Sequence, residues 1–220
     1  MIFKWYNGIK KILLLEVLVM QLKKRELQMT IQKTALEMFY KEGYLKTKMS
    51  DIAKEMDMSV GNIYTYFKNK EELFYTVVPE ETIFYFEEVI LTTIKTYNDV
   101  LVNQKESEEF FELIEKQMAL ITGNYREVVI MLDKNEGTIY EGMKERLITE
   151  MTEDRVLKGK TYTRFQKMSD QDLRLFYKII GHGFLDMILM ALKEENLSDE
   201  EKYQLCMSLI TYQLKKSETS

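Results

Sequence analysis

At 220 residues, with 45% apolar side chains and a formal charge of −5, the chain is globular in composition and long enough for one or two domains with a buried core. One proline and nine glycines point to helices with few long loops, and a single cysteine excludes an internal disulfide framework, which makes a reducing cytosol its natural home. The charge is unevenly divided: residues 1–75 carry 13 Lys and Arg against 9 Asp and Glu, the remainder 18 against 27, so a basic N-terminal part suits phosphate and an acidic part has another task.

Met1 to Gln21 places Lys4, Lys10 and Lys11 ahead of a mostly apolar run from Ile12 to Met20. That run is too short to cross a bilayer, contains Glu16 and lacks a small-residue cleavage site. Three readings stand side by side: an extra amphipathic helix packed on the fold, an upstream extension with Met20 as the true start, and a weak membrane anchor. Lys23, Lys24 and Arg25 then form a basic cluster, read either as a solvated helix start or as a nonspecific phosphate contact.

The first helix of the fold is predicted from about Lys24 to Lys41, with Leu27, Ile31, Ala35, Met38 and Phe39 facing inward and Gly43 ending it in the left-handed region. Thr47 can cap a second helix whose apolar positions are Met49, Ile52, Ala53 and Met56. Asp57-Met58-Ser59 interrupts the pattern. Ser59 is the next cap, for roughly two helical turns through Tyr66 in which Ile63 and Phe67 point inward. Ser59, Val60, Gly61, Asn62, Tyr64, Thr65 and Tyr66 are left outside. A nearly uncharged face of hydroxyls, an amide and a glycine makes a poor solvated surface but suits a nucleic-acid groove, where hydroxyls and N–H groups meet phosphates and Asn or Thr reach base edges.

Asn69 is the expected cap of a helix beginning at Lys70, whose ammonium beside a helix start would serve as a phosphate clamp. Pro79 marks a boundary between two domains or a hinge between ligand states. Beyond it the pattern predicts helices over Glu81–Asn103, Ser107–Thr122, Asn124–Lys134, Gly137–Leu157, Ser169–Lys193 and Ser198–Lys216, with an irregular loop over Leu157–Met168. Two of these open with capping-box sequences, at Ser169 and at Ser198.

The last two helices are apolar around most of their circumference, more than one chain easily hides. A homodimer would bury the surplus in a four-helix bundle, with Phe176, Ile180, Phe184, Ile188, Met207 and Ile210 at its interface and Gly181-His182-Gly183 allowing close approach. His182, the one histidine, has no second histidine with which to form a metal pair; no nucleophile elbow, phosphate-cradling loop or cysteine-rich metal spacing occurs, so neither an enzyme nor a metal or cofactor site is predicted. Cys206, among Leu205, Met207, Leu209 and Ile210, reads as an inert buried thiol. The aromatic and Met-rich C-terminal part suits an adaptable pocket for an apolar small molecule, with Phe111, Met118, Tyr125 and Tyr140 as candidates for its lining.

Ala35, Leu36, Phe39, Gly43, Tyr44, Thr47, Ile52, Ala53, Ser59, Gly61, Ile63, Tyr64, Tyr66, Phe67, Lys70 and Leu73 stand together in one register. In that register the segment resembles the DNA-binding domain of the tetracycline-repressor-like (TetR) family. Met49 and Val60 depart from the pattern, at a slot where Thr is common and at one where a polar or basic residue is common. The resemblance covers about 50 residues. It implies an all-α fold: an extension over residues 1–22, a helix-turn-helix DNA-binding domain over 23–78 and a ligand-binding and dimerisation domain over 79–220. It implies a cytoplasmic, homodimeric regulator, most simply a repressor, with double-stranded DNA and a small-molecule effector as partners and no membrane. Ser59, Tyr64 and Tyr66 would hold phosphates, Asn62 and Thr65 would read bases, Gly61 and Val60 would lie against the groove, and Thr47, Lys48 and Lys70 would grip the flanking backbone. The rival expectation is a helical dimeric interaction protein that has lost specific DNA binding.

Overall fold

A computed structural model describes residues 2–103, 108–159 and 167–218, all helices and connecting turns, with no strand among the described residues. The helices are α1 Ile2–Glu42, α2 Met49–Glu55, α3 Val60–Ile63, α4 Lys70–Val77, α5 Glu80–Asn103, α6 Glu108–Gly123, α7 Tyr125–Asp133, α8 Met143–Gly159, α9 Asp170–Lys193 and α10 Asp199–Glu218. The all-α expectation holds.

The first helix corrects the sequence reading. It runs unbroken from Ile2, because between Gly8 and Gly43 the chain offers strong helix formers and neither a proline nor a glycine to stop it. The boundary expected after residue 22 therefore falls inside a helix. Leu15, Val17, Leu18, Val19, Met20 and Leu22 are all exposed, so this part of α1 does not pack on the fold. From Ile31 the same helix is buried on one side, with Ile31, Ala35 and Phe39 fully enclosed.

Gly43, at φ +83°, reverses the chain after α1, a conformation that costs a residue with a Cβ about 1–2 kcal/mol. Its N–H bonds the Phe39 carbonyl at 2.9 Å, and the next N–H, of Tyr44, reaches the Lys134 carbonyl at the end of α7 at 3.3 Å. Thr47 does not cap α2. It is 1% exposed, and its hydroxyl lies 2.8 Å from the Gly43 carbonyl and 3.3 Å from that of Met38, serving acceptors at the end of α1 instead. Lys48 stands at the cap position with no side-chain bond. Asp57, with φ +50°, makes the turn between α2 and α3, a conformation Asp tolerates better than most residues.

The caps expected at Ser59, Asn69, Ser169 and Ser198 form. Ser59 accepts from the Asn62 N–H at 3.3 Å, and Asn69 accepts from the Glu72 N–H at 2.7 Å. Pro79 stands directly before α5, where its missing N–H is not needed, and its carbonyl accepts from Thr82 and Ile83. At Ser198 the capping box is reciprocal: Ser198 N–H donates to the Glu201 carboxylate at 2.8 Å and Glu201 N–H to the Ser198 hydroxyl at 3.3 Å.

The helix predicted from Gly137 starts only at Met143. Gly137 and Gly142 both have φ +78°, and the Asn135 amide holds the intervening turn through the carbonyls of Met131 and Tyr140. At its other end α8 continues through Leu157 to Gly159; the rest of the predicted loop, residues 160–166, lies outside the described residues. α8 runs antiparallel to α9, tied by Lys144 to Asp186 at one end and Glu153 to Arg174, 2.9 Å, at the other. One hydrophobic core passes without interruption from Ile31 and Phe39 through Phe74, Phe86, Ile114 and Ile148 to Cys206 and Ile210. The three-helix head therefore shares its core with the body behind it.

Candidate nucleic-acid interface

The segment from Ser59 to Tyr66 is held from beneath and bare above. Ile63 is fully buried and Phe67 nearly so, while Val60, Gly61, Asn62, Tyr64 and Thr65 are exposed, Tyr64 by 50%. The regular helix is shorter than predicted: α3 covers four residues and passes into a turn over Tyr64–Tyr66. Thr65 donates its hydroxyl proton to the Asn62 carbonyl at 2.7 Å, so outward it offers a methyl group and lone pairs. The Asn62 side-chain amide makes no hydrogen bond to the described residues, and beside Gly61 an added Cβ would meet nothing within 4 Å. Tyr66 is half-buried, with the Lys24 ammonium 5.9 Å from its ring centre, which sets the basic cluster of α1 next to the turn.

Of the three residues expected to grip flanking phosphates, Lys48 is exposed, and two are corrected. Thr47 is sealed inside, as described above. Lys70 turns inward: its Nζ donates to the Tyr44 carbonyl at 2.8 Å and sits 4.1 Å from the Tyr44 ring centre. Loss of water at this site lowers the Lys70 pKa and raises that of the Tyr44 hydroxyl. The pairing was missed because no periodicity links residues 26 positions apart, although a lysine at a helix start signals some anionic or carbonyl partner.

The four pocket candidates are dispersed. Tyr140 belongs to an aromatic cluster at the seam between head and body, with Phe74 and Tyr75 beside it and its hydroxyl donating to the Val78 carbonyl at 2.8 Å. Tyr125 meets Tyr40 of α1 edge to face at 5.5 Å, with Arg126 4.4 Å and Lys202 5.0 Å from its ring centre. Burial pushes the Tyr40 hydroxyl up to about 12. Phe111 and Met118 lie on α6, Met118 buried and Phe111 half-buried. A tyrosine hydroxyl needs a partner when buried, and the carbonyl of Val78 decides where Tyr140 sits.

The dimer candidates also divide. Phe176 and Ile180, the latter 40% exposed, lie with Ile179 and Met190 on an open apolar stripe of α9, and Phe184 and Met207 are half-buried beside it. Ile188, 8% exposed, and Ile210 are corrected: both belong to the chain's own core, since the opposite side of each helix packs inward. By length and composition alone α9 is apolar enough to cross a membrane, with a mean hydropathy of 1.5 over 18 residues, but its other face carries buried Leu173, Tyr177, Leu185 and Leu192. Its surplus is the exposed stripe. His182 lies half-buried with Nε2 3.5 Å from the Glu145 carboxylate, and the Cβ missing from Gly181 would face Ile148 of α8, not a second copy.

Residues 31–77 match the family model described as bacterial regulatory proteins, tetR family. Over 107 residues the chain is 27% identical to the fatty acid metabolism regulator protein of Bacillus subtilis, a match covering 49% of this chain and 52% of that relative, so it spans about half the length of the curated protein. Among solved structures, the fatty acid degradation regulator FadR of Bacillus halodurans is 20% identical, with a TM-score of 0.39 over 85% of this chain and 94% of that one. A transcriptional regulator from Cytophaga hutchinsonii is also 20% identical, with a TM-score of 0.35 over 88% and 97%.

Proposed function

We propose, from the premise that residues 31–77 make this chain a member of the tetR family of bacterial regulatory proteins, that it is a homodimeric repressor which leaves a near-palindromic operator when an apolar small molecule binds its C-terminal body. The observation that carries the reading is the bare, nearly uncharged turn from Ser59 to Thr65 anchored on buried Ile63 and Phe67. Ser59 keeps its hydroxyl proton for a phosphate, Asn62 keeps its whole amide for a base edge, and Gly61 admits the sugar-phosphate backbone. Lys48 and Lys24 supply flanking positive charge in place of Thr47 and Lys70. The open stripe of Phe176, Ile179, Ile180 and Met190 supports pairing of two copies through α9, placing two reading turns about 34–36 Å apart on one face of the duplex. Such a regulator works in the cytosol. Its relative's name supports an effector of fatty acyl character. The effector must bind the non-operator state more tightly, because equal affinity for both states moves nothing.

Titration of the DNA upstream of the protein's own gene, read by fluorescence anisotropy at several salt concentrations, tests this. Expected are dimer binding with a steep salt slope and a loss of sequence preference in Asn62→Ala.

The inward turn of Thr47 and Lys70 leaves fewer groups for phosphate and favours one alternative, a helical dimeric interaction protein without specific DNA binding. On that alternative dimers form and the salt slope is flat.

A further inference from the structure

Residues 134–142, which join α7 to α8, form a turn braced from within. The Asn135 amide donates to the carbonyls of Met131 and Tyr140, and the Gly137 N–H donates to the Glu141 carboxylate at 2.9 Å. The Thr138 hydroxyl donates to the Asn135 carbonyl at 2.7 Å and accepts from the Tyr140 N–H at 3.1 Å. A connection whose polar groups are paired with one another holds its shape.

This turn meets the head on two separate stretches of chain. Just after Gly43, the Tyr44 N–H donates to the Lys134 carbonyl at 3.3 Å, and Leu45 lies so close over Gly137 that a Cβ there would come within 2.5 Å of the leucine Cδ2. On and after α4, the Tyr75 hydroxyl accepts from the Ile139 N–H at 3.2 Å, and the Tyr140 hydroxyl donates to the Val78 carbonyl at 2.8 Å. The two stretches are themselves fastened together, with the Tyr44 and Phe74 rings 4.8 Å apart. A single contact would let the head pivot. Contacts on two joined stretches fix its tilt.

Tyr44 carries the link onward to the reading turn. Its N–H is bonded to the body, and its carbonyl accepts from the Lys70 ammonium at 2.8 Å. Lys70 opens α4 three residues after Phe67, the buried anchor of that turn. Two hydrogen bonds therefore lead from the Lys134 carbonyl to the base of the segment proposed to read DNA. Pairing through α9 would fix one body against the other, and the seam fixes each head against its body. Together they determine the spacing of the two reading turns. One base pair moves a half-site by about 3.4 Å along the duplex and about 35° around it, so a firmly held head accepts one spacing and a loose head several.

We infer that Leu45, Tyr75 and Tyr140 are positioning residues for operator half-site spacing. They act without touching DNA, by holding the head against the connection between α7 and α8. This rests on the reading of the chain as a DNA-binding dimer, and it adds which residues decide the spacing that dimer accepts.

The test uses the full-length protein and fluorescence anisotropy on the operator found upstream of its gene, remade with one or two base pairs inserted or removed at its centre. The parent should bind the altered duplexes at least about tenfold more weakly than the original. Leu45→Ala combined with Tyr75→Phe removes a leucine that is 52% exposed and one exposed hydrogen bond, changes the fold can bear. This variant should bind the original operator within about threefold of the parent and lose less than about threefold on the altered ones. Tyr140→Phe should show the same tolerance together with a lower urea midpoint. Ile114→Val, a core change on α6 outside the head and the connection, should lower the midpoint and keep the parent's spacing preference. A merely structural role for the seam would move stability and leave spacing untouched. If the variants reject altered spacings as sharply as the parent, if Ile114→Val becomes as tolerant as they are, or if the parent accepts every spacing alike, the positioning role falls while the DNA-binding reading stands. If the parent prefers no upstream duplex over a scrambled one, that reading falls and the positioning role with it.

Discussion

Lys70 and Tyr44 hold each other across the base of the reading head, the lysine Nζ 2.8 Å from the tyrosine carbonyl and 4.1 Å from its ring centre. The contact fastens the start of α4 to the chain just after Gly43, and Tyr44 in turn packs on Phe74 at 4.8 Å and bonds Lys134 of the body through its N–H. One lysine therefore helps set how the head is seated.

Lys70→Met keeps the aliphatic stem and removes the charge-assisted bond. It should lower unfolding free energy by about 1–2 kcal/mol, measured by urea denaturation. Affinity for DNA, measured well below the melting temperature, should fall by less than threefold, and the slope of log affinity against log salt should not change. A phosphate clamp would instead reduce that slope by about one.

Ile63 and Asn62 are adjacent yet should separate stability from recognition. Ile63→Ala opens a hole under the reading turn and should cost about 2–5 kcal/mol by denaturant unfolding, since its side chain is fully enclosed. Asn62→Ala should leave the unfolding midpoint unchanged while reducing the difference in affinity between the operator and a scrambled duplex by about 1–3 kcal/mol.

The α9 stripe gives a similar contrast. Ile180→Asp sets a charge on the exposed side and should yield a folded monomer in sedimentation analysis, with helicity retained by circular dichroism. Ile188→Asp puts the charge into the chain's own core and should prevent folding altogether.

How far the sequence could be read depended on whether a residue's partner was local. Ser59, Asn69, Ser169 and Ser198 bond groups within three residues, and these caps are legible from the sequence alone. Ile31, Ala35, Phe39, Ile63 and Phe67 follow a helical period and lie inside as expected. The inward turn of Thr47 and Lys70 is not legible in the sequence, because their partners, Gly43 with Met38 and Tyr44, come from the fold around the Gly43 reversal. Ile188 and Ile210 lie in the chain's own core and not between copies, because apolar periodicity marks a buried face without saying which molecule buries it.

Cys206 ties stability to alkaline pH. It is fully buried, and loss of water pushes its thiol up to about 11 from an ordinary 9.0, with the Lys202 charge opposing. The folded-state pKa is raised, so the neutral thiol's contribution is complete below pH 9 and is lost as pH rises through about 11. Two pH units correspond to roughly 2–3 kcal/mol at most. Unfolding free energies at pH 8 and pH 11 should therefore differ more in the parent than in Cys206→Val, in which the titrating group is absent while the tyrosines, Tyr40 among them, still contribute. The same burial predicts that the native thiol resists a disulfide reagent at pH 8 and reacts only as fast as the chain opens, with the rate rising in step with urea. Rapid labelling of the native protein would place Cys206 at the surface and remove the basis for the pH effect.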